Sequence, residues 1–489
     1  MAQYLTAPVK SKNLPGGIPY IIGNEAAERF SFYGMRTLLV VCMTTYLMQP
    51  GGTLDVFSEE DAKKYFHLFI ASAYFTPILG GILSDAWLGK YRTILCLSLV
   101  YCAGHACLAF MGVLGDTKAW LLIGLVLVAI GSGGIKPCVS AHVGDQFGKS
   151  NSHWLSKVYG WFYLSINLGA FLSGLITPWL QRAKAGPEVH PMITMLVGEK
   201  AEGEILFGTH WAFGLPGVLM ALATLMFWLG RHKFIHVQPP KKASSYFKQT
   251  FSKEGVAAIA RVSVIFAFIP LFWSLFDQMG STWIFQAQEL NRITPKWVPL
   301  FGGKEILPEQ INGVFNPLFI LILIPVFNYA IYPAIDKVFP LTALRKMGIG
   351  FFVMAVGFGI IAVVNMALDA GSTPHIGWQV LGCAVVTAAE VMISITGLEF
   401  AYTQAPRYMK SFVLSLFLLT VSFGNFVTAG FTHLITDSNG QAILGRTEEL
   451  WFWTGMILLT GLIFIPVAMR YKVQEYLQEE EDLVVEPHG

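Results

Sequence analysis

Charge is what this 489-residue chain has least of: Asp, Glu, Lys and Arg together make up 13% of it, where a soluble domain carries about 25%. Hydrophobic residues are 54% and the mean hydropathy is +0.55. So little charge over this length excludes a water-facing surface for most of the chain. Cysteine is also scarce. The six cysteines, Cys42, Cys96, Cys102, Cys107, Cys138 and Cys383, all fall in apolar stretches. None has CxxC or metal-ligand spacing, so free thiols packed as small hydrophobes are expected, with no metal site. No HExxH, GxSxG or P-loop occurs, which removes the usual signatures of a membrane enzyme, and no catalytic residue is expected. The net charge of +2 carries no nucleic-acid signal. The start, Met1 to Pro19, lacks an apolar run before a small-residue cleavage site, so the first span is expected to serve as the insertion signal.

What is abundant is apolar sequence in runs near the roughly 20 residues that a bilayer span requires. Such runs lie near 20–47, 64–86, 93–114, 119–141, 155–179 and 211–230, and again near 262–288, 311–335, 347–367, 376–402, 411–434 and 450–470. The expected fold is an all-α membrane protein with twelve transmembrane helices in two six-helix bundles (1–230 and 261–489), joined by a basic linker at 231–260. That linker holds a Pro-Pro step and is too short and polar for a further helical hairpin. If the N-terminus is inside, nineteen Lys and Arg fall on inside segments and ten on outside ones. This is the positive-inside bias, and it puts both termini in the cytoplasm. Six plus six with an inside linker is the plan of major facilitators, whose halves rock about a central site.

An ionisable group at mid-bilayer costs about 2.5–3.5 kcal/mol on insertion scales, so it normally faces a cavity. The first span carries four. Glu25, Glu28 and Arg29 stand at i, i+3 and i+4, so they share one face. Arg36 returns to that face about 10 Å further on, with Tyr33 between. All are expected to line a cavity between the halves, either as a structural salt-bridge knot or as partners that exchange when a proton binds. Further on, His67 and Tyr74 share a face of the second helix, Lys136 lies in the fourth, and Trp273 and Asp277 stand at i, i+4 in the seventh. The tenth span holds Glu390 and Glu399, nine residues apart and therefore about 180° around the helix. Glu399 is taken as the cavity residue because Tyr402 and Thr403 make its surroundings polar.

These residues carry a family resemblance. NEAAERFSFYGMR resembles the ExxER motif of the proton-coupled oligopeptide transporters, with Glu25, Glu28 and Arg29 in its positions. The runs GGILSDAWLGKYRTILCLSLVYCAG and YGWFYLSINLGAF are similar to the family's second- and fifth-helix signatures. FWSLFDQMGSTW and TGLEFAYTQAP are similar to its seventh- and tenth-helix segments. The five occur in order over almost the whole chain. The resemblance implies a proton-driven symporter importing di- and tripeptides, with the proton as coupling ion and no cofactor. It implies a functional monomer in a cell membrane, and a bacterial inner-membrane member carrying a second-helix histidine, His67, as mammalian members do. By similarity Glu399 would hold the peptide's amine and Arg36 and Lys136 its carboxylate. Tyr33, Tyr74, Asn167, Trp273 and Asn316 would line the pocket. Glu25, Glu28, Arg29 and His67 would couple the proton, while Arg36–Asp277 and Lys136–Glu399 would bridge the halves.

Two departures stand out. The 231–260 segment cannot supply the two extra helices of many bacterial members, and Phe417 occupies a position where the family usually has tryptophan. Asp85, Lys90 and Arg92 in SDAWLGKYR read as a gating latch shared by major facilitators. A carrier of nitrate or another small anion is the main alternative on the same scaffold, with a drug exporter behind it.

Overall fold

The computed structural model describes residues 4–8, 11–50, 52–113, 115–182, 203–237, 239, 243–298, 301–404, 410–437 and 442–473. Within them the regular structure is helical, with only isolated β-bridges between the loops. The first half contributes six helices: Ile18–Val41, Glu59–Leu83, Lys90–Phe110, Thr117–Asp145, Leu155–Gln181 and Gly203–Leu229. The second half begins with a helix bent by 47° between Lys253–Phe266 and Ile269–Glu289. It continues with Ile311–Asp336, Ala343–Asp369, Gly377–Ala401, Lys410–Leu434 and Arg446–Arg470. These twelve are numbered here as the first to twelfth helices. Nine of the described helices are long and apolar enough to cross a bilayer, or ten with the bent seventh. The chain is a multi-pass membrane protein. The first helix is not among those nine: its Glu25, Glu28, Arg29 and Arg36 lower its apolar character, which is why a cavity or a packed interior must receive them.

Close packing rests on glycine, as between helices in lipid, where backbones approach through small residues. Gly80 of the second helix abuts Gly134 of the fourth, Gly104 of the third abuts Gly124 and Val128, and Gly131 abuts Tyr101. A Cβ at Gly80, Gly104 or Gly131 would collide with a neighbouring backbone. Gly174 and Gly313 make the same contact between the fifth and eighth helices, across the two halves. The turn joining the second and third helices depends on Gly89 at φ +77°, a left-handed conformation that glycine adopts without a Cβ clash.

The linker is more structured than its polarity suggests. It holds a short helix, Ala243–Thr250, and the seventh helix starts at Lys253, eight residues before the expected boundary. His236 donates its backbone N–H to the Leu5 carbonyl at 2.7 Å. The Ser11 N–H donates to Ser150 Oγ at 3.1 Å. The N-terminal segment therefore lies against the linker and the loop after the fourth helix, and this end of the bundle is called the near end. Burial lowers the basicity of the His236 ring, while its bond to the Arg231 carbonyl works the other way. At the opposite, far end, Arg182 is held protonated by Glu309 against the cost of its own burial.

Candidate functional site

A chamber of about 260 Å³ lies between the halves. The first half contributes Tyr33, Arg36, Tyr74 and Asn167; the second contributes Trp273, Asp277, Asn316, Glu390 and Phe417. Phe417 packs edge-on against Phe266 at 5.6 Å and closes an aromatic wall. Tyr33 and Arg36 reach the cavity together because they stand at i, i+3 on the first helix. Arg36 forms an ion pair with Asp277 of the seventh helix, and both are buried.

The rest of the stripe on the first helix does not line this chamber. Arg29 Nε meets Glu25 Oε1 at 2.6 Å and Glu28 Oε2 at 3.1 Å, with all three residues buried. Gly169 lets the fifth helix approach the first closely, at the Ala26 carbonyl, the Phe30 N–H and the Arg29 Cβ. The expected single cavity face therefore divides in two. Its far-end half lines the chamber and its near-end half forms an ion cluster inside the first bundle. The stripe divides because Arg29 takes up both near-end acids on its own helix, whereas Arg36 pairs with Asp277 across the halves.

The tenth helix corrects a second expectation. Glu390 lines the chamber, and its Oε2 accepts from Asn316 Nδ2 at 2.8 Å. Asn316 also donates to Thr387 Oγ1 at 3.0 Å. Glu399 is exposed and does not line the chamber. Between the two acids the helix widens into a π-helical turn over Val391–Ile395, and nine residues on, Glu399 emerges on another face. The expected bridge from Lys136 to Glu399 is not formed among the described residues. Lys136 Nζ instead sits 3.7 Å from the centre of the Phe32 ring and 4.2 Å from that of Tyr74. It has no hydrogen-bond partner and lies one aromatic ring behind the chamber wall. The side chains of Tyr402 and Thr403, whose polarity favours Glu399 in the sequence, lie outside the described residues.

His67 stands at the centre of a relay that sequence spacing alone does not reveal. Its Nδ1 is 2.7 Å from Asn425 Oδ1 and its Nε2 is 2.9 Å from Ser281 Oγ. Asn425 Nδ2 donates to Asp277 Oδ2 at 2.6 Å. A carboxylate only accepts, so the amide must turn its N–H₂ to Asp277 and its oxygen to His67. His67 Nδ1 is then the donor, and Nε2 accepts from Ser281 when the ring is neutral. The second, eleventh, seventh and first helices are thus joined through His67, Asn425, Asp277 and Arg36. Asn425 is a lone amide in an apolar run, and that isolation is its only signal in the sequence.

All described ion pairs between the halves lie at the far end or on its side of the chamber. Besides Arg36–Asp277 they are Arg182–Glu309, Lys63–Glu449 at 2.9 Å and Arg446–Glu59 at 3.5 Å. With Gly174 against Gly313, these contacts close that end. At the near end Lys90 pairs with Asp145 of the fourth helix at 2.7 Å, rather than with Asp85.

Comparison with known proteins places this arrangement. The family model described as POT family matches residues 91–252 and 243–449. The chain belongs to the POT family. Human solute carrier family 15 member 2 is 33% identical over 450 residues, covering 81% of this chain and 57% of its own. Peptide transporter family 1 of Drosophila melanogaster is 35% identical over 393 residues, covering 73% and 48%. The chain thus spans about half the length of these curated relatives. Among solved structures, an auto-inhibited POT family peptide transporter aligns with a TM-score of 0.79 at 31% identity, over 95% of this chain and 99% of that one. The POT family transporter PepTSo aligns at 0.78 and 33%, over 94% and 99%. The expected two-bundle major facilitator fold is the fold of these neighbours.

Proposed function

We propose that the chain is a proton-coupled symporter that imports di- and tripeptides by alternating access. The observation that carries this reading is one chamber with Glu390 on the second half and Arg36 on the first. A zwitterionic peptide presents an amine and a carboxylate at a separation that hardly depends on its side chains. An acid on one half and a cation on the other read those ends, and the aromatic wall accepts varied side chains. A chamber of about 260 Å³ is small beside the ~300–1,000 Å³ of drug-sized sites, which favours two or three residues over longer chains. The named relatives support the substrate class, since one is a peptide transporter of Drosophila and PepTSo is a POT family transporter.

In this reading Glu390, oriented by Asn316, holds the amine. Arg36 takes the carboxylate once it leaves Asp277, and Lys136 follows from behind Tyr74. Tyr33, Asn167 and Trp273 complete the chamber. A proton on His67 makes both ring nitrogens donors, so Ser281 Oγ must turn from donor to acceptor. The added positive charge, felt through Asn425, competes with Arg36 for Asp277. Glu25, Glu28 and Arg29 provide a second set of partners able to exchange when a proton arrives. A ligand bridging both halves stabilises the state in which they close around it. The near end, where the first helix begins and the twelfth ends, faces the cytoplasm of a cell membrane, a bacterial inner membrane included, in keeping with the Lys/Arg distribution. The working unit is a monomer, the proton is the coupling ion, and no cofactor is required.

The competing small-anion carrier has no use for a carboxylate in the chamber, and Glu390 disfavours it. Displacement of a bound radiolabelled dipeptide decides between them. Di- and tripeptides are expected to compete, tetrapeptides weakly and nitrate not at all. Displacement by nitrate with none by peptides would overturn the assignment.

A further inference from the structure

A second buried charge set lies outside the chamber, at the far end. Lys63 of the second helix and Glu449 of the twelfth are 4% and 2% exposed, and their Nζ–Oε2 distance is 2.9 Å. Glu60, three residues before Lys63, approaches the same ammonium at 3.2 and 3.3 Å. Two carboxylates therefore share one cation in a buried place. Glu449 Oε1 is buried there without any hydrogen-bond partner.

We propose that Glu449, clasped with Glu60 around Lys63, is a further proton-binding site, and that a proton arriving there unlocks the seam between the second and twelfth helices. The inference rests on the proton-coupled function proposed for the chamber and extends it. The set carries surplus negative charge, and the unpartnered Glu449 oxygen is where one proton removes it. The geometry also lets the seam part at low cost. Glu60 lies in the same helix as Lys63, whereas Glu449 belongs to the other half. When Glu449 becomes neutral, the ammonium keeps Glu60, and the halves separate without leaving an unpaired buried cation, which is the costly outcome. Glu60 retains 11% side-chain exposure, a route for the proton from the far-end water.

The other charges around the set are already engaged or lie at its rim. Arg446 of the twelfth helix pairs with Glu289 at 2.7 Å and Glu59 at 3.5 Å. Lys64 pairs with Asp61 at 3.7 Å, and Glu448 lies on the exposed side. His67 follows Lys63 by four residues, one helical turn deeper. A proton from the far end thus meets Glu449 before His67.

The test reads the seam directly. Spin labels at Leu54→Cys and Ile443→Cys, both exposed on far-end loops, are placed in a background with the native cysteines replaced. Interlabel distances are recorded in lipid between pH 5 and 8 without substrate. The wild-type background should shift from short to long distances as pH falls. Glu449→Gln, which mimics the protonated acid but cannot ionise, should hold the long population across the whole pH range. Glu60→Gln removes the partner that retains Lys63 and should move the transition to lower pH. Opposite effects in the two variants support the latch, since a general loss of negative charge would move both the same way. Identical transitions in wild type and both variants would overturn the latch and leave His67 as the proton site. A wild type that ignores pH altogether would overturn the latch, whereas the proton-coupled function fails separately, if an inward dipeptide gradient does not acidify proteoliposomes.

Discussion

Replacing Glu390 by Gln probes the peptide amine separately from everything else in the chamber. The change keeps the shape and an acceptor oxygen, so Asn316 retains a partner for the hydrogen bond now made at 2.8 Å, and the fold should be undisturbed. What is lost is the charge facing a peptide ammonium. Hydrogen bonds to charged groups contribute about 1.5–3 kcal/mol. At 1.4 kcal/mol per tenfold, dipeptide affinity should fall roughly 10- to 100-fold. Binding to purified protein, measured calorimetrically for a dipeptide and its N-acetylated form, isolates the cause. Wild type should prefer the free amine by that factor, and Glu390→Gln should bind both forms about equally. Glu399→Gln, altering an exposed residue away from the chamber, should behave as wild type. Loss of the preference for the free amine in Glu399→Gln, with Glu390→Gln keeping it, would refute the assignment of the amine partner.

Other perturbations test the relay and the seam. His67→Gln should weaken proton-driven uptake but spare peptide counterflow; equal loss of both would mean a role in packing or binding. Asn425→Leu leaves Asp277 Oδ2 and His67 Nδ1 without their amide partner, at about 1–3 kcal/mol for an unsatisfied buried group. A lower melting temperature in detergent, together with a far end that opens more readily, is expected; an unchanged melting temperature would contradict the bonding described. Gly174→Ala puts a Cβ into the Gly313 backbone. It should hold the far end open and cut uptake at least tenfold, while dipeptide binding from that side survives. Normal uptake would show that the seam closes by another contact.

The fold was legible because a bilayer demands long apolar runs, and twelve of them stand out between polar loops. Residues of the first, second and seventh helices were legible because a charge in such a run is costly enough to point inward. The tenth helix shows where that inference stops. Glu390 and Glu399 each have polar neighbours, Thr387 and Ser394 for one and Tyr402 and Thr403 for the other, so local polarity does not tell which acid faces the chamber. The π-helical turn at Val391–Ile395 alters the rotation between them without a residue that announces it. Asn316, which orients Glu390 and also donates to Thr387, comes from the eighth helix, a position that no spacing connects to Glu390. The first-helix stripe failed differently. Its periodicity was right, but Glu25 and Glu28 pair with Arg29 within the first helix, and of the stripe only Tyr33 and Arg36 reach the chamber. The pairs Lys63–Glu449 and Arg182–Glu309 join residues far apart in the chain, and only the assembled bundle brings them together.

Symport requires peptide and proton to move together through this chamber. Proteoliposomes loaded with a pH-sensitive dye and given an inward dipeptide gradient show directly whether they do. Internal acidification is expected on addition of alanyl dipeptides, abolished by Glu390→Gln and absent with nitrate. Acidification driven by nitrate, with none from the peptides, would contradict peptide–proton symport.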